Sequence, residues 1–198
     1  EPAGAENYPY RVMEKLNGMN LERQPLPLPL SQALDWTGEL LEALAYLHSQ
    51  GVVHRDLKPA NLYRVETGIK IADLGIAHFS GTVGDRATQT GTILGTPVYL
   101  DPAMLRGQTA DARADLYACG LLLYEWIVGS LPYPSDPLQI FRIKLSEDLP
   151  PMTDSNPQLP VPLCQFVDKL IHPFPEGRFA SAQDALEALE ILRADLKA

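Results

Sequence analysis

Apolar residues recur at helical spacing along much of the chain. From Ser31 to about Gln50, Leu34, Leu41 and Leu44 fall on one face. Ser31 can cap the start, and Gly51 marks the stop. Further helices are expected near 113–128, 136–146, 161–171 and 181–196. The last starts at Ser181 and carries the stripe Ala185, Leu186, Leu189, Leu192 and Leu196. The stretch "LYACGLLLYEWIVG" (116–129) is apolar nearly all round, which predicts a helix buried at a domain centre. It is too short for a membrane span and is interrupted by Glu125.

Strand signals are few and short. "YRVME" (10–14) and "VVH" (52–54) are candidates, and "LYRV–ETG–IKIA" (62–72) predicts a hairpin. "KLNGMN" (15–20) is rich in turn formers. "QPLPLPLS" (24–31) has Pro at alternate positions, which blocks helix and favours an extended path. It reads as a helix-to-helix loop, with an SH3-type ligand as the other reading. A polar, Thr- and Gly-rich segment runs from Asp73 to about Pro102, and loops of that length tend to be functional. The pattern predicts one α+β domain, mostly helical, with a short hairpin.

Composition narrows the function classes. The 198 residues suffice for one sizeable core, and a formal net charge of −9 argues against a nucleic-acid surface or anionic membranes. It fits a basic partner or substrate, although solubility explains it equally well. Cys119 and Cys164 lie in different expected helices without metal-ligand spacing, as in a reduced, cytosolic protein. The N-terminus has neither the basic start nor the apolar run of a secretory signal.

The spacing around the hairpin suggests chemistry. If the turn "ETG" centres on Thr67, Asn61 and Asp73 stand six residues either side and emerge together at the open end. An amide oxygen beside a carboxylate suits Mg²⁺, which takes few protein oxygens and completes its shell with water and phosphate. Asp56 lies five residues before Asn61 and can accept the proton of an attacking hydroxyl; Lys58 can place positive charge on a phosphoryl group in flight. Taken singly, Asp56 and Asn61 are ordinary turn formers, Lys58 a solvated charge and Asp73 an Asx turn. Together they point to phosphoryl transfer.

These residues sit in motifs. "HRDLKPAN" (54–61) resembles the catalytic loop of eukaryotic-type (Hanks-type) serine/threonine protein kinases, and "ADLGIA" (72–77) resembles their DFG segment. "GTPVYLDPA" (95–103) is similar to the segment that normally reads GTPxYxAPE. "ADLYACGLLLYEWIVGSLPY" (114–133) and "PEGRFASAQDAL" (175–186) resemble the central and closing helices of the kinase C-lobe. The resemblance implies a C-lobe over 21–198, with its catalytic loop at 54–61 and activation segment at 73–103. Residues 1–20 would be the end of an N-lobe strand and the hinge. It implies ATP and Mg²⁺ as cofactors, Asp56 as catalytic base, Lys58 on the γ-phosphate, and Asn61 and Asp73 on the metal. "VMEKLNG" (12–18) is similar to the adenine-binding hinge. That implies Met13 as gatekeeper, Glu14 and Leu16 as hinge contacts and Asn20 near the ribose. Tyr63 stands where a Leu usually forms the adenine floor.

The resemblance also implies regulation. Arg55, before the catalytic Asp, can pair bidentately with a phosphate on the activation segment. Counting back four residues from Thr96 of the GT pair gives Thr92, with Thr90 next. A protein substrate, and an upstream or trans-phosphorylating kinase, are the implied partners. Glu125 matches a position that in some kinases favours basic substrates. Two departures stand out: Leu74 replaces the Phe of DFG, and Ala103 replaces the Glu of APE. That Glu normally pairs with an Arg matched here by Arg178, and Asp101, two residues away, is the expected substitute. A hydrated Arg178 bonded only to backbone carbonyls is the other reading.

No G-x-G-x-x-G run occurs, and only about nine residues precede the hinge. Three readings follow. The chain is the cytoplasmic C-lobe of an active serine/threonine kinase, with the N-lobe missing through truncation, disorder or proteolysis, or a non-catalytic C-lobe scaffold that binds partners, or a lobe completed by another chain.

Overall fold

The computed structural model describes residues 14–74, 97–146 and 149–197. Three antiparallel strands form one small sheet in the order β1 (Met19–Asn20), β2 (Leu62–Val65), β3 (Gly68–Ile71). The helices are α1 (Leu30–Ser49), α2 (Pro102–Leu105), α3 (Ala112–Val128), α4 (Pro137–Ser146), α5 (Met152–Ser155), α6 (Val161–Leu170) and α7 (Ala182–Asp195). Single 3₁₀ turns stand at Leu21–Arg23, Pro59–Asn61, Pro97–Tyr99 and Pro175–Gly177. The result is a mostly helical α+β fold.

Helix α3 is the axis of the core. Every residue from Ala114 to Tyr124 is buried, because α1, α6 and α7 pack around it. Gly120 permits the close approach of the end of α6: a Cβ there would lie 2.6 Å from Leu170 Cβ and Ile171 Cγ2. Trp126 meets Trp36 of α1 edge to face at 5.7 Å. Gly129, at φ 86°, closes α3 with a left-handed cap, its N–H donating to the Glu125 carbonyl at 2.8 Å. Cys119 and Cys164 are free and buried, as expected of packing residues.

The apolar stripes are where periodicity put them. Leu34, Leu41 and Leu44 of α1 are buried, with Trp36 and Leu40 beside them. On α7, Ala185, Leu189 and Leu192 are buried, and Leu186 and Leu196 pack partly against them. Ser181 caps α7 by accepting from the Asp184 N–H at 3.1 Å.

Local expectations fail in three places. Ser31 does not cap α1. Pro29 holds that position without a side-chain bond, and its ring-fixed φ of −54° sets the entry. Residues 52–54 form no strand; Val52 N–H instead bonds back to Leu47 O, tying the segment to the end of α1. The turn-rich 15–20 stretch ends in β1, which pairs Met19 with Arg64 and Asn20 with Tyr63. Of the strand expected at 10–14, only Glu14 lies within the described residues, and it belongs to no strand.

Residues 24–29 are neither helix nor strand, as the alternating prolines predict. Leu28 is buried there, and its N–H reaches Trp126 O at 2.7 Å. This pins the loop beneath the end of α3.

Candidate active site

The hairpin register corrects one expectation. Leu62 pairs with Ile71 and Val65 with Gly68, so the turn is the two residues Glu66–Thr67 and does not centre on Thr67. Gly68, at φ 126°, supplies a backbone conformation that side chains disfavour. Asn61 therefore stands opposite Ala72, whose N–H donates to Asn61 O at 2.8 Å. Asp73 follows one residue later, exposed and left-handed at φ 54°.

The loop ahead of β2 draws three of the expected residues together. Lys58 Nζ donates to Asp56 Oδ2 at 2.8 Å. Asn61 Nδ2 donates to the Asp56 carbonyl at 2.8 Å and to Asp56 Oδ2 at 3.2 Å. Pro59 opens the 3₁₀ turn that delivers Asn61, its fixed φ suiting the first position. With its amide nitrogen committed to Asp56, Asn61 has its Oδ1 left for another partner. A hard cation takes such an oxygen, and Asn61 Oδ1 with the exposed Asp73 carboxylate suits Mg²⁺ in donor type and number. The residues present fit that ion.

Beneath this loop lies Asp115, a residue that motif spacing does not single out. Its Oδ1 accepts from Arg55 N–H at 2.8 Å, and its Oδ2 accepts from His54 N–H at 2.9 Å and His48 Nε2 at 2.8 Å. Arg55 is held at φ 68°, a costly conformation for a non-glycine residue, and the carboxylate offsets that cost. Its one sequence signal is weak, an acid placed just ahead of the apolar run 116–124, and its burial comes from the packing around α3. His54 braces the other side. Its Nδ1 accepts from Asp56 N–H at 3.3 Å, so the proton sits on Nε2, which donates to Ala72 O at 3.0 Å.

The hinge-side residues meet the same edge. Asn20 Nδ2 donates to Ala60 O at 2.7 Å, and its Oδ1 accepts from Glu22 N–H. Asn20 and Tyr63 are register partners, which brings two of the expected nucleotide contacts together. Glu14 pairs with Lys70 at 2.7 Å, and Leu16 is half-buried. Met13, Thr90, Thr92 and Thr96 lie outside the described residues. A groove of about 670 Å³, lined in part by Met19, Trp36, Glu39, Arg64 and Arg193, contains none of Asp56, Lys58, Asn61 or Asp73.

Arg178 does find Asp101. Its Nη1 and Nη2 meet Asp101 Oδ2 and Oδ1, each at 2.8 Å, as a buried bidentate pair. The guanidinium also donates to the carbonyls of His172, Arg113 and Pro173. Asp101 Oδ1 caps α2 as well, accepting from Ala103 N–H at 2.9 Å. The expected pairing of Asp101 with Arg178 is therefore present, two residues before Ala103. Nearby, Tyr99 donates to Glu125 at 2.5 Å. Burial, then this carboxylate, push the Tyr99 phenol far above its usual range; burial likewise raises Glu125.

Comparison with known proteins agrees with this geometry. The family profile described as "Protein kinase domain" matches residues 4–189. The serine/threonine-protein kinase PknB of Mycobacterium tuberculosis is 34% identical over 200 residues, covering 98% of this chain and 30% of that protein. A probable PknB from Lactococcus lactis is 33% identical over 186 residues, covering 91% of this chain and 29% of that protein. The chain thus spans about 30% of the length of these relatives. Among solved structures, Rad53 1–466 in complex with AMP-PNP superposes with a TM-score of 0.64 at 24% identity, covering 81% of this chain and 40% of that one. That likeness concerns the fold. With the profile spanning most of its residues and an Asp56–Lys58–Asn61 cluster held on a buried acid, this chain belongs to the protein kinase family, of the Hanks-type serine/threonine kind.

Proposed function

We propose that this chain is the catalytic lobe of a protein kinase that transfers the γ-phosphate of ATP to serine and threonine hydroxyls of protein substrates. The observation that carries the reading is the convergence of Lys58 Nζ and Asn61 Nδ2 on one oxygen of Asp56. Asp56 accepts the proton as the substrate oxygen bonds to phosphorus and the bond to the leaving ADP oxygen breaks. The Lys58 ammonium offsets negative charge on the phosphoryl group during transfer. Asn61 and Asp73 would hold Mg²⁺, which when bound neutralises phosphate charge. Glu14, Leu16, Asn20 and Tyr63 would line the nucleotide, with Met13 ahead of them.

A Gly-rich loop over the phosphates and a strand lysine paired to a helix glutamate complete such a site. Residues beyond this lobe would supply them. A scaffold role would have no chemical use for four correctly typed side chains. No helix among the described residues is long and apolar enough to cross a membrane, and we place the lobe in the cytosol as part of a larger protein.

Radiolabelled phosphate transfer to a generic Ser/Thr substrate tests the reading. The full-length protein is expected to be active and to lose at least about a hundredfold in kcat with Asp56→Asn. The 198-residue chain alone is expected to transfer phosphate very poorly. Strong activity that survives Asp56→Asn would sink the assignment.

A further inference from the structure

A cavity of about 180 Å³ opens between α3, α4, α6 and the segment 149–151. None of Asp56, Lys58, Asn61 or Asp73 lines it. Its walls are largely apolar, with Ile143, Leu149 and Ile171 beside prolines, yet Lys144, Tyr117 and Tyr133 stand among them.

Lys144 of α4 is only 2% exposed and belongs to none of the ion pairs among the described residues. Its Nζ donates to the Leu100 carbonyl at 2.8 Å and to the Tyr117 hydroxyl at 3.0 Å. An ammonium carries a third N–H, which meets no oxygen or nitrogen of the described residues. Only ring faces lie near it, with the Tyr117 and Tyr133 centroids at 4.5 and 4.8 Å. Arg178 occupies both oxygens of Asp101. Burial therefore lowers the Lys144 pKa well below the ordinary lysine value, with Asp101 opposing the shift and Arg178 adding to it. The site holds a buried cation without a counter-charge of its own.

The hydroxyls beside it extend the donor set. Lys144 donates to the Tyr117 oxygen, and Tyr117 passes its hydrogen to Tyr133 at 2.6 Å. Burial raises the Tyr133 phenol to about 12, and the bond from Tyr117 opposes that rise, as it does for an acceptor. The Tyr133 hydrogen then finds no acceptor among the described residues.

We propose that this cavity binds a small apolar monocarboxylate, its anionic end on Lys144 and the Tyr133 hydroxyl and its body against Ile143, Leu149 and Ile171. An apolar cavity of about 150 Å³ accepts a benzene ring, so the space here suits a ring with one carboxylate. Asp168 also lines the cavity, with Oδ1 held by the Met152 N–H at 3.0 Å. Its charge opposes an anion, so a second carboxylate on the ligand would be rejected. The proposal is independent of phosphoryl transfer.

Benzoate is the probe, with benzamide and benzylamine as shape-matched neutral and cationic controls. Ligand-detected NMR titration of the full-length protein should give benzoate a Kd of about 1 mM or tighter. Benzamide should bind at least about tenfold more weakly, and benzylamine not at all. Lys144→Met keeps the volume, removes the charge and should weaken benzoate at least about tenfold. Asp168→Asn should tighten it, and saturating AMP-PNP should leave it unchanged.

No benzoate binding at about 10 mM, or equal affinities for benzoate and benzamide, would overturn the proposal. So would full affinity in Lys144→Met, loss of affinity in Asp168→Asn, or displacement by AMP-PNP, each of which puts the carboxylate elsewhere. If Lys144→Met does not fold, Tyr133→Phe decides. It should weaken benzoate about threefold and leave benzamide unchanged, and an unchanged benzoate affinity there refutes the site.

Discussion

The pair Asp101–Arg178 can be tested by a double-mutant cycle. Arg178 is 5% exposed, Asp101 is 3% exposed, and five donated bonds leave the guanidinium. Asp101→Ala strands that cation among three carbonyls, which costs about 3–5 kcal/mol for a broken buried pair. It also removes the cap of α2, about 1 kcal/mol more. Arg178→Ala leaves a buried carboxylate with one backbone donor and takes a donor from three carbonyls, of which Pro173 O keeps Arg106 Nη1, a loss in the same range. The double variant removes both charges at once, so its cost should fall short of the sum by about 2 kcal/mol or more. Urea unfolding followed by fluorescence of the buried Trp36 and Trp126 provides the four stabilities. A domain of this kind has about 5–15 kcal/mol to lose, so the measurement belongs near 15–20 °C, where stability peaks. Should Arg178→Ala not fold, Asp101→Asn with Arg178→Lys completes a gentler cycle. Additivity within about 0.5 kcal/mol would refute the reasoning and assign Arg178 to its carbonyl partners alone.

Asp115→Asn turns one of three acceptor contacts into a donor facing a donor, and should destabilise by about 2–4 kcal/mol and cut full-length kcat at least tenfold; unchanged kcat would deny Asp115 its role under the catalytic loop. Phosphosite mapping of the active full-length protein should find Thr92 or Thr90 modified, with Arg55→Ala abolishing the gain in activity. Repeated mapping that finds neither would remove that regulation. Burial, opposed by the Met152 N–H, raises the Asp168 carboxyl above its ordinary 3.8, so the folded state holds a proton that the unfolded state releases. Its contribution is therefore present below about pH 3.8 and lost as pH rises through the folded value. Asp168→Asn should flatten that part of the stability–pH curve, and identical slopes would contradict it.

The legible parts of this protein are those where several residues must agree. Leu34, Leu41 and Leu44 can be read because a helix repeats its face. Asp56, Lys58 and Asn61 stand out as candidates because two turn formers and a lysine rarely share one metal-and-phosphate spacing, and the loop gathers all three. The hairpin register departs from its expectation by one residue because "ETG" suits a two- or three-residue turn, and only the pairing of Val65 with Gly68 decides. Asp115 and Lys144 escape a sequence reading for a different reason. An acid at a helix start looks like a dipole partner, and a lysine in "IFRIKLS" looks like a solvated face. Only tertiary packing makes them buried polar anchors. The shift of the acid from position 103 to 101 lies in between. Proximity in sequence offers Asp101 as a partner for Arg178, and the cap of α2 aims it there.

The contact between the first long helix and the last has a consequence for synthesis. Arg193 Nη2 of α7 bonds the Leu34 carbonyl of α1 across 159 positions, and α1 packs along α7. A ribosome adding about 5–20 residues each second delivers α7 roughly eight to thirty seconds after α1. Throughout that interval the leucine face of α1 lacks one wall, while the catalytic loop and hairpin have already emerged. Closure of the lobe waits for α7 and cannot proceed piecemeal from the front. A nascent chain stalled before residue 182 would carry Asp56, Lys58, Asn61 and Asp73 while the leucine face of α1 still lacked the wall that α7 provides. Burial of the α1 leucine face therefore depends on synthesis having reached α7.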